Sequence, residues 1–400
     1  MVMHLEALRT MSYRCILAVS LLSILASSAD AFEPYIMSPG PIAGFDDAGS
    51  VGISGDGSTL IMAAINYSAD EWMSYRWTAE EGYSQIGDLP GGEVWSSPAG
   101  VSADGSVIVG HSDSVHSTDV SDWEAFKWTP EAGMVGLGDL SGGAFDSRAH
   151  DVSADGSVIV GRGNYSDGVG SPKTQPVRWT ADGGIEAIPC LNPGGRGAAL
   201  GVSADGSVIV GTSPSEAIDN DEAFIWSEET GAIGLGNLGG EHPSQAWDAS
   251  ADGTVVVGMV YTTVAQYEAF RWTAETGMQS IGDLPGGSIA TKAKFVTRDG
   301  STIYGNGDSE HGSTAFVWDA EHGMRALYDV LETEYSVDLS EWPYSSFTVA
   351  GVSDDGLTLA GTGYRGDQPE PWAVHIPEPS SVLFFLWGYS VTLLRRGRVR

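Results

Sequence analysis

An all-β fold of repeated four-stranded units is what this sequence predicts, on three observations. One seven-residue phrase recurs seven times at near-constant spacing. The 400 residues include 54 Gly and 13 Trp with only 18% charged residues, a composition of short strands and tight turns rather than of helices. The last repeat also lacks its fourth strand, and a matching segment stands ahead of the first repeat.

The phrase Gly-Val-Ser-Ala-Asp-Gly-Ser runs from Gly100 to Ser106 and again from Gly201 to Ser207, and Asp151 to Ser157 differs from it at one position. Looser copies lie at Gly52 to Ser58, Asp248 to Thr254, Phe295 to Ser301 and Gly351 to Leu357. Their turn aspartates, from Asp56 through Asp104, Asp155, Asp205, Asp252 and Asp299 to Asp355, follow one another 47 to 56 residues apart. A period of that size means stacked or ringed repeats.

Each unit divides into four strands. Gly100 to Ser102 ends strand a, and Ala-Asp-Gly turns the chain, with Gly free to take positive φ. Ser106 to Gly110 is strand b, apolar and β-branched as a strand buried on both faces must be. Glu124 to Trp128 is strand c, with counterparts ending at Trp77, Trp179, Trp226, Trp272 and Trp318. A second turn, Thr129 to Gly133, leads to strand d, Met134 to Leu137, and Gly-Asp-Leu-Pro-Gly-Gly (Gly87 to Gly92, Gly282 to Gly287) exits the unit. Four short strands in about 48 residues make a propeller blade.

The seventh unit has strands a, b (Leu357 to Gly361) and c, ending near Val374, and then runs into Ile376-Pro377 with no strand d. Tyr35 to Gly44 aligns with Tyr83 to Gly92, where another unit has its strand d and exit loop. The expectation is a seven-bladed β-propeller whose last blade is closed by an N-terminal strand, leaving no raw sheet edge.

The alternation of Gly-Val-Ser-Ala-Asp-Gly-Ser-Val-Ile-Val-Gly, Glu-Ala-Phe-Arg-Trp-Thr and Gly-Asp-Leu-Pro-Gly-Gly resembles the HAF-family extracellular repeat over nearly all of Tyr35 to Val374. The third unit departs from it, with Pro176 to Trp179 and Pro189 to Asn192 replacing the usual strings. An insertion from Glu332 to Ser346 also precedes the last strand a. The resemblance implies an exported bacterial repeat protein and implies no catalytic activity.

Both ends read as targeting segments. Arg9 and Arg14 precede an uncharged apolar run from Cys15 to Ala26, and Ala29-Asp30-Ala31 follows as a small-x-small cleavage pattern, so residues 1–31 are expected to be a signal peptide. Translation begins at Met1 or at Met11. Cleavage leaves Cys190 as a lone cysteine, so packing and not a disulfide must stabilise the body. At the other end, Pro377-Glu378-Pro379, an uncharged run from Val382 to Leu394, and Arg395, Arg396, Arg398 and Arg400 resemble a PEP-CTERM sorting signal. That resemblance implies membrane retention through residues 377–400, an exosortase-type processing enzyme as partner, and delivery to the envelope or the extracellular polymer.

The chain has 53 acids against 19 bases, a net charge of −34, and six of those bases lie in the two ends. Such a body repels phosphate backbones, which argues against nucleic acid as a partner. Repeated Ser-Ala-Asp-Gly turns read as hairpins whose Asp bonds its own backbone, and they lack the Asp-x-Asp-x-Asp spacing of a calcium loop. Neither a metal nor a cofactor is expected. There is no Gly-x-Ser-x-Gly, His-Glu-x-x-His or P-loop.

Function is better sought where the repeats disagree. The two positions before the turn hold His150-Asp151, Trp247-Asp248 and Lys294-Phe295 where other units have Leu200-Gly201 or Ala350-Gly351. Strand a is innermost, so His150, Asp151, Trp247, Asp248 and Lys294 are the candidate ligand-binding residues at the central channel. No catalytic residue is assigned. Loops b–c and d–a vary and share one face, which makes that face a binding surface. The body, residues 32–376, is therefore expected to act as a binding or structural module toward extracellular polysaccharide or another envelope component. The alternative is a polysaccharide-active hydrolase or lyase using Asp151 and Asp248 in the channel.

Overall fold

Seven four-stranded antiparallel sheets stand around a central channel as a seven-bladed propeller, each blade ordered a-b-c-d outward. The computed structural model describes residues 34–117, 122–166, 173–263 and 266–377. The whole of the 1–31 leader, together with Glu378, Pro379, Arg395, Arg396 and Arg398 of the tail, is read from sequence alone, since these residues lie outside the described ones. Blades 1 to 6 span residues 47–87, 96–136, 148–187, 198–234, 244–280 and 291–326, and blade 7 spans 348–375. Strand Tyr35–Met37 completes blade 7, adding to the outer edge of Gln368–His375. The body, 36–374, is one compact unit, and the rings of Tyr35 and His375 are 6.1 Å apart. Among the described residues no helix is long and apolar enough to cross a membrane.

The repeated phrase is explained by its turn. Ser102 Oγ donates to Asp104 Oδ1 at 2.8 Å, the Ser106 amide donates to the same oxygen at 3.0 Å, and the Val107 amide donates to Ser102 Oγ at 2.9 Å. All seven turns repeat this triangle, with Thr297 replacing serine in blade 6. Because the hydroxyl serves the turn, strand a ends at Val101 rather than Ser102, and strand b is Ile108–Ser112 rather than Ser106 to Gly110. Backbone bonds then tie neighbouring turns together at five seams, such as Ala103 N to Ala154 O and Asp354 N to Gly55 O.

Every strand a carries a β-bulge one residue before the last aligned pairs, as between Ala149 and Asp151 or Ala246 and Asp248. The Gly ending the Val-Ile-Val-Gly string serves that bulge. A Cβ at Gly110 would collide with the carbonyl oxygen of Ser97, and one at Gly161 with that of Arg148. Between blades, strand b supplies fully buried pairs such as Ile108–Val109 and Val256–Val257, packed with Phe126, Phe224, Phe270 and Phe316 of strand c. The strand c tryptophans close the outer part of each seam, with Arg76 over Trp128 at 5.8 Å and Arg178 over Trp226 at 5.1 Å. These contacts are packing between blades.

A second hydroxyl staple lies at the opposite end of strand a. Ser147 Oγ accepts from the Ala125 amide of the preceding blade at 3.0 Å and donates to Gly138 O at 2.8 Å. Ser96, Ser244 and Thr291 do the same at their seams. Among the described residues one short helix, α1 (Leu327–Thr333), leads into the insertion ahead of blade 7. Tyr328 Oη of α1 donates to Leu339 O and Trp342 O at 3.1 and 3.0 Å, folding the insertion onto itself.

Candidate functional site

The bulge decides what the channel sees. His150, Trp247 and Lys294 are the bulged residues of blades 3, 5 and 6, and Asp151 and Asp248 follow two of them. All five line one central cavity of about 240 Å³, together with Arg298 and Asp354 from the turns.

The two aspartates have the same geometry. Asp151 Oδ1 accepts from its own neighbour, the Val152 amide, at 2.8 Å, and Oδ2 accepts from the Val202 amide of blade 4 at 3.0 Å. Asp248 accepts from Ala249 at 2.7 Å and from Val296 of blade 6 at 2.8 Å. Each carboxylate therefore staples its blade to the next. Where the position is Gly instead, strands approach more closely: a Cβ at Gly100 would sit 2.9 Å from Asp151 Cα.

Burial in the channel wall raises the Asp151 pKa to about 6, against the two amide bonds that lower it. Burial also raises Asp248 to about 8; the Val296 amide opposes this, while the charge of Asp151 adds to it. His150 is lowered to about 4, chiefly by burial, with its bond to Ala199 O opposing and Arg162 and Arg148 reinforcing the shift. Its Nδ1 lies 2.8 Å from that carbonyl, so the neutral ring carries its proton there. Lys294 is lowered by burial and by Lys292.

One cluster escaped the sequence reading. Trp72, Trp95 and Trp123 form a half-buried run on the variable-loop side, beside His111, Arg148 and Arg162 of blades 2 and 3. A comparison of strand b registers would have exposed Arg162, which stands where blades 4 and 7 carry Thr212 and Thr362. Among the described residues no group of three or more His, Cys, Asp or Glu is placed to hold a metal ion.

No family model matches the chain, and no curated protein matches it. Solved structures do. An oligogalacturonate lyase in complex with manganese is 13% identical, with a TM-score of 0.53 over 86% of this chain and 93% of that one. The propeller domain of the trilobed protease from Pyrococcus furiosus, described as having an open velcro topology, is 11% identical, with a TM-score of 0.52 over 83% and 94%. A TolB from Acinetobacter baumannii is 17% identical, with a TM-score of 0.40 over 58% of this chain and 53% of that one, so the match spans about half its length. At these identities the likeness is one of fold.

Proposed function

We propose that the chain is an exported bacterial repeat protein of the HAF type, a non-catalytic binding or structural module at the cell envelope or in extracellular polysaccharide. The observation that carries this reading is the use of the channel carboxylates. Both oxygens of Asp151 and of Asp248 are engaged by strand amides of two blades, which is the work of a staple. Binding then falls to the mouth of the channel and the variable loops around it. A glycan array on residues 32–376, with a turnover assay on every glycan retained, tests it. Retention without new reducing ends or unsaturated products supports the module, and turnover overturns it.

One observation favours the second reading, a polysaccharide hydrolase or lyase. Asp151 and Asp248 line one cavity with pKa values raised to about 6 and about 8, an asymmetry that acid–base pairs use. Under that reading Asp248→Asn abolishes turnover.

Export and sorting are part of the same proposal. Val382 to Leu394 is apolar enough to enter a bilayer, while Arg395, Arg396, Arg398 and Arg400 resist crossing it at a few kcal/mol each. The chain is then held with Pro377-Glu378-Pro379 outside, within reach of a membrane-embedded processing enzyme. Mass spectrometry of extracellular protein from the native host is expected to find a C-terminus near that motif. Released protein intact through Arg400 overturns the sorting step.

A further inference from the structure

Where blades 1, 2 and 3 meet on the variable-loop side, two arginines stand beside a run of indoles. Trp72 and Trp95 stack with centroids 5.7 Å apart, and Trp95 meets Trp123 at 3.8 Å. The Arg148 guanidinium lies 5.9 Å from the Trp123 ring centre, and Arg162 is the cross-strand partner of Arg148. Among the described residues both arginines pair with Asp146 alone, at 3.4 and 3.5 Å, distances at the limit of a hydrogen bond. Two cations therefore share one loosely held carboxylate. Arg162 Nε and His111 Nδ1 are buried with no hydrogen-bond partner, a cost that a polar ligand reaching them would relieve.

The same register around the ring strengthens the point. Its seven cross-strand pairs, from Gly49–Ala63 through Ser97–His111 and Lys292–Asn306 to Thr348–Thr362, contain no carboxylate. In a chain with 53 acids, a register that carries Arg148, Arg162 and Lys292 without a carboxylate is locally basic, and Asp146, from the loop ahead of strand a, is among the described residues the one acid that pairs with the two arginines. The cluster adjoins the channel wall, because Arg148 and Arg162 both act on the ring of His150.

From this we infer that the blade 2–3 rim binds the acidic residue of a saccharide. The carboxylate of a hexuronate bridges Arg148 and Arg162, and its pyranose ring lies along the half-exposed indoles. Guanidinium pairs suit carboxylates because their forked donors bond both oxygens, and indole faces suit the apolar face of a sugar. The surrounding negative charge excludes long polyanions elsewhere on the body, so an acidic glycan docks here and nowhere else.

This inference rests on the binding-module reading, and its test separates the two. Calorimetry of residues 32–376 uses a β-1,4-mannuronate tetrasaccharide and mannotetraose, which differ in their carboxylates. The expected result is at least tenfold tighter binding of the mannuronate, weakening with added salt, and loss of that preference in Arg162→Gln. Arg148→Lys keeps the charge but loses the fork, and is expected to fall between. Melting curves confirm that each variant is folded, and if Arg162→Gln fails to fold, Arg148→Lys carries the comparison. Equal affinity for the two tetrasaccharides, or an Arg162→Gln variant that keeps the preference, overturns the acidic-sugar site. So does equal affinity for a poly-glutamate peptide. If neither tetrasaccharide binds, the inference falls, while retention of other glycans on the array leaves the module standing.

Discussion

Asp248 is held in two ways that pull against each other. Its carboxylate accepts two backbone amides, yet it sits in the channel wall within the field of Asp151. Its folded-state pKa of about 8 exceeds the unfolded value of 3.8, so between those values the folded chain binds more protons than the unfolded one. Stability from this group is therefore full at low pH and falls as pH rises toward about 8. Asp151 acts in the same direction up to about 6. The turn aspartates oppose them. Asp104 is lowered by its bonds from Ser106 and Ser102, and Asp252 by its bonds from Thr254 and Ser250. Their contribution is lost as pH falls below about 4. Melting temperature is therefore expected to peak near pH 5 and to decline toward pH 8.5. Asp248→Asn should flatten that decline and cost about 1–3 kcal/mol, because one buried amide loses its acceptor. A variant whose melting profile matches the wild type at every pH shows that Asp248 is not the source. The repeat comparison led to this residue because an Asp replaced a Gly. It could not show that the carboxylate reaches into the next blade, since the bulge beside it leaves no mark in a strand pattern.

At the scale of the element, position within the strand matters more than residue name. In the sequence, strand c of blades 1 to 6 is expected to end on Trp, whereas that of blade 7 ends near Val374. The structure explains the gap: Trp372 occupies the place that Phe126, Phe224, Phe270 and Phe316 hold elsewhere, buried over Gly361 as Phe126, Phe270 and Phe316 lie over Gly110, Gly258 and Gly305. Phe347, from the end of the insertion, stacks on it at 4.3 Å and 2°. The Trp372 indole nitrogen is buried without a partner. Trp372→Phe restores the residue used by the other blades and removes an unpaired donor, so it should cost only about 1–2 kcal/mol, whereas Trp372→Ala should cost about 3–5 kcal/mol. Chemical denaturation of the two variants checks the contrast, and equal losses would show that the ring position is not the shared feature. The strands of the other blades were legible because two turn signals bracket each one. Helix α1 was not, since seven residues with buried Leu327, Tyr328, Val330 and Leu331 are too few to show a period.

The ring as a whole was legible from an absence and a match: blade 7 had no fourth strand, and Tyr35 to Gly44 resembled one. Strand Tyr35–Met37 supplies it, and the residues after it latch the join from both sides. Ser38 Oγ donates to Glu370 Oε2 of blade 7 at 2.9 Å, and Tyr83 Oη of blade 1 donates to Gly40 O. Ile42 is buried with Ala48 and Ala64, and Phe45 meets Tyr75 edge-on at 5.6 Å. Removing residues 32–44 therefore takes away a strand and a latch together, and leaves the Gln368–His375 edge with unpaired amides and carbonyls. Such an edge recruits strands from other chains. The expected outcome is aggregation, or a large fall in melting temperature with loss of a single cooperative transition. Tyr83→Phe separates the two contributions. It deletes one latch bond, worth about 1 kcal/mol, while the strand still pairs, so it should lower the melting temperature slightly and leave the protein monomeric. A truncated body that stays monomeric in size-exclusion chromatography and melts like the full body shows that the ring does not need its closing strand.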